Sequence, residues 1–232
     1  MLSEKELKER AQAAFGLAAR LVQQEPDMEW VNLCITEDLF DECPFGMDDS
    51  AVASGLRKLQ SWNTTARLNV EEATGDICRE WLRLFVGLGS PEAPVWEAVY
   101  IEPDATMTGG STLEVRRIYR KWGLQFERKG SEPDNSLGLM LAFCSYLLGR
   151  ELEAIGASEG DIAAEAVADL EEVLAQHMLP WVSAWRFLVN EHAKTDYYRG
   201  VGDLVFGLER SLAARFGIAF NESDGTFAYR EG

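Results

Sequence analysis

The chain of 232 residues carries 39 acidic and 22 basic side chains, for a formal net charge of −17, and 47% of its residues are hydrophobic. That apolar content supports a packed core and excludes disorder over most of the chain, and the length suits one large domain or two small ones. A field this negative repels phosphate backbones and anionic lipid, which speaks against nucleic acid and membrane surfaces and favours a cationic partner.

Apolar residues recur at helical spacing nearly throughout, with no convincing alternating strand. The first 25 residues mix acids with bases and lack a long apolar run, so they read as neither a secretory signal nor a transit peptide. Ser3 with Glu6 has capping-box spacing and opens a helix to about Gln24, its stripe being Leu7, Ala11, Phe15, Ala18 and Val22. Pro26 starts a shorter helix through Trp30, Leu33 and Cys34, and Cys43-Pro44-Phe45-Gly46 breaks the chain. Asp48 or Asp49 caps a helix carrying Val52, Leu56, Leu59 and Trp62. Asn69 with Glu72 caps the next, with a stripe of Ile77, Trp81, Leu84, Phe85 and Leu88 that is most simply core.

Gly87 to Pro94 reads as loop, Trp96 to Ile101 as a short apolar piece, and Pro103 to Gly110 as loop again. Ser111 with Glu114 caps a basic helix through Arg116, Arg117, Arg120 and Lys121, and Gly123 stops it. After a polar stretch at 128–133, a long helix runs from about Asp134, its N-cap, to Ile155, and Gly156 ends it. Ser158 caps an acidic helix that buries Val167, Leu170 and Leu174. The acidic face from Glu151 to Glu172 and the basic run at 116–121 both read as solvated. Pro180 opens a helix near Trp181, a last helix spans about Asp196 to Phe216, and the tail from Ala219 is loose unless Phe220, Phe227 and Tyr229 pin it.

These elements add up to an all-α fold: a single globular domain of about nine or ten helices over residues 1–217, followed by a C-terminal tail, 218–232. The loop around 87–110 is too apolar for a linker, so it is expected to pack on the body or to line a groove. Cys34, Cys43, Cys78 and Cys144 lie far apart without a CxxC pair, which reads as buried reduced thiols rather than a metal site or a disulfide framework. No phosphate loop, dinucleotide loop or nucleophile elbow is present, and His177 and His192 sit in no metal motif and read as structural. No cofactor, no metal and no enzymatic activity are expected.

Two stretches, correctly spaced, carry a family resemblance. Trp81-Leu82-Arg83-Leu84-Phe85-Val86-Gly87 followed by Pro91-Glu92-Ala93-Pro94-Val95-Trp96-Glu97-Ala98-Val99-Tyr100 is one; Glu132-Pro133-Asp134-Asn135-Ser136-Leu137 is the other. With a weaker third, His177-Met178-Leu179-Pro180-Trp181, they resemble the TorD/DmsD/NarJ family of redox-enzyme maturation chaperones, over most of the chain to about residue 217. The resemblance implies a cytoplasmic helical chaperone of anaerobic respiration. It would bind the twin-arginine leader and the apo-form of a molybdenum-enzyme catalytic subunit before export or assembly, as a monomer or homodimer. It also implies a groove built from Trp81, Leu84, Phe85, Pro94, Trp96, Tyr100, Pro133, Asp134 and Asn135. Asn135 departs from the family, which often has His there; Asn can donate a hydrogen bond but cannot titrate near neutral pH.

The chemistry of such a ligand asks for carboxylates beside an apolar groove. Glu97, Glu132 and Asp134 are the acids nearest the motif, and Trp96 and Tyr100 offer faces for stacking a guanidinium. Asp134 has a plainer role as an N-cap, worth about 1 kcal/mol. Two other classes stay open at this level: a helical protein that binds a guanine nucleotide, against which the missing phosphate loop counts, and a general helical interaction or scaffold module.

Overall fold

The computed structural model describes residues 2–87, 89–101, 110–125 and 133–230. The fold is all-α apart from one small hairpin. Its helices are α1 (Glu4–Gln23), α2 (Met28–Thr36), α3 (Ser50–Ala66), α4 (Val70–Trp81), α5 (Glu97–Ile101), α6 (Gly110–Lys121), α7 (Leu137–Ala157), α8 (Gly160–Glu172), α9 (Leu179–His192) and α10 (Asp196–Arg215). Two π-helical turns, Leu82–Val86 and Val173–Met178, continue α4 and join α8 to α9.

Local capping sets several starts. The Ser3 hydroxyl accepts from Glu6 N while the Glu6 carboxylate accepts from Ser3 N, a complete capping box. Asp27, Asp49, Asn69 and Thr195 cap α2, α3, α4 and α10 through their side chains. The Asp49 carboxylate also holds Arg210 of α10, so one residue both starts α3 and ties it to the last helix.

Packing has two principal seams, α1 on α7 and α3 on α10. α7 is buried almost all round, with Leu137, Met140, Leu141, Phe143, Cys144 and Leu147 at its core. The α3–α10 crossing is close because glycines meet there. A Cβ on Gly200 would stand 2.7 Å from Leu59 Cγ, and one on Gly207 would stand 2.5 Å from the backbone N of Val52. Asp203, on the same face of α10, is buried and receives Lys58 Nζ at 2.7 Å, Arg186 Nε at 2.7 Å and Ser54 Oγ at 2.8 Å, so one carboxylate fastens α3, α9 and α10.

Several expectations need correction. Ser136, not Asp134, stands at the N-cap of α7, and Ser111 lies inside α6 and buried rather than capping it. α7 runs past Gly156 and ends at Ser158 in a left-handed conformation (φ 62°), so Ser158 closes α7 instead of opening α8. The basic and acidic helices are not simply solvated. Arg117 pairs with Glu172, and Lys121 bridges Glu165 and Asp169, so α6 is clamped to α8 by ions. The tail is not loose over its described residues, 218–230. β1 (Ile218–Asn221) and β2 (Thr226–Tyr229) pair antiparallel, and Phe220 and Phe227 pack on Phe206. Leu88, most of the expected loop 103–110 and the stretch 126–132 lie outside the described residues.

Among the described residues no helix is long and apolar enough to cross a membrane, and no group of three or more His, Cys, Asp or Glu is disposed to hold a metal ion. The four cysteines are free thiols, and burial pushes that of Cys34 up to about 12, far from a reactive thiolate at neutral pH.

Candidate functional site

The motif stretches meet around a strap, residues 91–96. The π-turn ends at Gly87 (φ 69°), where a Cβ would lie 2.8 Å from Pro91 N, so glycine is required for the chain to fold back. A helix end leaves its last carbonyls without partners, and the returning strap supplies them: Glu92 N donates to Arg83 O at 3.2 Å and Ala93 N to Leu84 O at 2.8 Å. At its far end the strap performs the converse service for α7. The otherwise unpaired N–H of Leu137 donates to Val95 O at 2.8 Å, and Trp96 bridges to Ser136. One ribbon thus closes the C-terminal end of one helical segment and the N-terminal end of another. This explains why α7 needs no capping side chain.

Below the strap, α5 is seated on the second π-turn and α9. Glu97 is 0% exposed, and its Oε1 lies 3.0 Å from Nδ1 of the buried His177. The Trp181 indole donates to the His177 carbonyl, and Tyr100 stacks on Trp181 with centroids 4.9 Å apart while its hydroxyl donates to Pro94 O at 2.7 Å. The stretch 177–181 therefore lies against the first motif, which sequence spacing alone did not show.

The expected site residues divide into framework and surface. Leu84 and Phe85 are core: Phe85 stacks on Trp185 and meets Tyr198 edge-on. Trp81 is half-buried and its indole donates to Val22 O at 3.2 Å, closing the end of α1. Pro133 and Asn135 are buried. Pro94, Trp96, Tyr100 and Asp134 remain part-exposed. Glu132 lies outside the described residues. Two acids are already engaged. Glu97 faces the interior, against the expectation of a surface carboxylate, and Asp134 is ion-paired at 2.5 Å with Arg116 of α6.

Among the described residues, two buried polar atoms at the strap have no hydrogen-bond partner, the donor Trp96 Nε1 and the acceptor Asn135 Oδ1, although Asn135 Nδ2 donates to Ser111 Oγ at 3.1 Å. An unmade bond to a buried group costs about 1–3 kcal/mol, so the two atoms weigh against the stability of the strap. The surface also carries apolar residues that the motif reading passed over: Leu82, Val86, Val99 and Ile101, each 40–53% exposed. The signal was available, since Leu82 and Val86 are four apart and fall on the face opposite Leu84 and Phe85.

Comparison with known proteins places this geometry. The profile of the family described as nitrate reductase delta subunit matches residues 49–186, more than half of the chain and the span that holds both π-turns, the strap and α7. The chain is 31% identical over 125 residues to the Tat proofreading chaperone DmsD of Salmonella typhimurium, covering 54% of each protein. It is 25% identical over 152 residues to the perchlorate reductase assembly chaperone protein of Dechloromonas aromatica, covering 65% of this chain and 66% of that one. With the chaperone protein TorD of Vibrio cholerae it shares 23% identity over 189 residues, covering 80% and 74%. The match spans about half the length of the DmsD relatives. On the family match, which takes in the strap and the helices it joins, the chain belongs to the nitrate reductase delta subunit family, that of TorD, DmsD and NarJ.

Proposed function

We propose that the chain is a maturation chaperone and not an enzyme: in the cytoplasm it binds the twin-arginine leader of a molybdenum-cofactor oxidoreductase subunit and holds the apo-subunit until it is fit for export or assembly. The observation that carries this reading is the meeting of the motif stretches at the strap, within the span the family shares. The names of the relatives, a Tat proofreading chaperone and a reductase assembly chaperone, support it.

The chemistry is non-covalent. Leu82, Val86, Val99 and Ile101 offer apolar surface for the hydrophobic stretch of a leader, with Pro94, Trp96 and Tyr100 beside them. Leu84, Phe85, Trp81, Pro133, Glu97 and His177 act as the frame that holds the strap.

The reading is tested by co-expressing the catalytic subunit with and without its leader and recovering the chain by affinity tag. The full subunit should be recovered with native chain and lost with Val99→Asp, whose exposed position leaves the helical signal unchanged. Equal recovery of a subunit without its leader contradicts leader recognition.

A further inference from the structure

If the chain binds a leader, the acids first expected to meet its arginines are committed elsewhere: Glu97 faces His177 inside the protein and Asp134 is held by Arg116. A different face supplies what they do not. Between α3, α4 and the turn joining α9 to α10 lies a groove of about 540 Å³. Its floor is apolar, formed by Trp62, Ala66 and Ala73, and at its rim stands Leu68, 86% exposed and the most exposed large apolar side chain among the described residues. Three carboxylates line it, those of Glu72, Asp76 and Asp196, against a single ammonium, that of Lys194.

We infer that this groove holds the paired arginines of the leader, while the strap surface takes its apolar stretch; the inference rests on the leader-binding function proposed above. Charge complementarity selects the occupant. A guanidinium is a planar cation with an apolar face, and the groove pairs carboxylates with an aromatic and aliphatic floor. The carboxylates are within reach of exchange. Asp76 meets Arg79 in a solvent-exposed pair, 52% and 71% exposed, and Asp196 lies 3.7 Å from Arg199, so neither is tied as Asp134 and Glu97 are. Exposed pairs of this kind contribute little and yield to a better-placed guanidinium.

The groove is also joined to the strap by hydrogen bonds. Both Glu80 oxygens accept from Thr195 N, at 3.2 and 3.3 Å, and Arg83 Nη2 donates to His192 O at 3.1 Å, which fixes the α9–α10 turn to α4. The same Arg83 pairs with Glu92 of the strap and accepts its N–H. Arg83 thus stands between the strap and the α9–α10 turn that borders the groove.

The experiment is a calorimetric titration of the client's synthetic leader, in its Arg-Arg form and with both arginines changed to Gln, into native chain, into the triple variant Glu72→Gln/Asp76→Asn/Asp196→Asn, and into Leu68→Lys. Native chain should bind the Arg-Arg leader about tenfold or more tighter than the Gln-Gln leader. The triple variant should lose that difference while keeping the Gln-Gln affinity, because the strap surface is untouched. Leu68→Lys, at the exposed rim, should leave the far-UV helical signal unchanged and weaken the Arg-Arg leader alone, more so at low salt. An undiminished arginine preference in both variants overturns the placement and leaves the leader-binding function standing. Absence of any binding by native chain overturns the function and this inference with it.

Discussion

Glu209 lies within α10 with 0% exposure, and neither of its carboxylate oxygens has a hydrogen-bond partner among the described residues. Burial raises its pKa well above the ordinary value of 4.5. The sign of the consequence is fixed by linkage. Above pH 4.5 the unfolded chain gives up this proton while the native core retains it, so the native state binds more protons and stability falls as pH rises. The slope is about 1.4 kcal/mol per pH unit wherever the unfolded carboxyl is ionised and the native one neutral. Glu209→Gln keeps the shape and removes the titration. Urea unfolding at pH 5, 6, 7 and 8, at constant ionic strength, should find the advantage of the variant over native chain growing as pH rises from 5. The other ionisable groups cancel in the difference. Two stability curves that run parallel across this range refute the claim that the native core holds a neutral carboxyl at this position.

Asp203 should behave in the opposite sense. Burial alone would raise its pKa, but hydrogen bonds from Lys58, Ser54 and Arg186 and the Arg186 charge outweigh that and hold it below the usual carboxylate range. Its contribution is therefore present above pH 3.8 and is lost as pH falls through the depressed native value. Asp203→Asn should cost about 2–4 kcal/mol at pH 7 in urea unfolding, and the gap to native chain should close only in acid. Gly207→Ala drives a Cβ against the backbone of Val52 and should cost about 1–3 kcal/mol by thermal unfolding; no loss would mean that α3 and α10 do not cross as closely as described. His177→Leu removes the partner of Glu97 Oε1 and should cost about 1–3 kcal/mol, with a further change in Trp fluorescence as Tyr100 and Trp181 lose their register; His177→Leu/Glu97→Leu should recover part of the stability.

What the sequence revealed of this fold was local. The Ser3–Glu6 box, the Asn69 cap and Pro180 at the start of α9 follow from residues three or four apart, and the helical period located the longer helices, with shifted boundaries at α6, α7 and α8; the five-residue α5 read only as a short apolar piece. What it concealed was set across distance. Glu97 looked like a surface acid because its partner, His177, is 80 residues away. Asp134 looked like a cap because neither Val95, which serves the start of α7, nor Arg116, which takes the carboxylate, is its neighbour in sequence. The π-turns have no local signature; they appear where the strap and α5 dock on the helices. The hairpin escaped notice because four-residue strands leave too little alternation, and it is held by Phe220 and Phe227 packing on Phe206 of α10. The same limit applied to the site: the motif named the strap and its frame, and its Leu84 and Phe85 are core as their helical stripe suggested rather than groove as the resemblance implied, while Leu82 and Val86 beside them face outward.

The central claim is that this chain recognises a twin-arginine leader. The most direct measurement is the dissociation constant of the cognate leader peptide with native chain, set against that of the same peptide with both arginines replaced by glutamine. Saturable binding is expected, weakening about tenfold or more on that replacement. No binding of the cognate leader, or equal affinity for the two peptides, contradicts it.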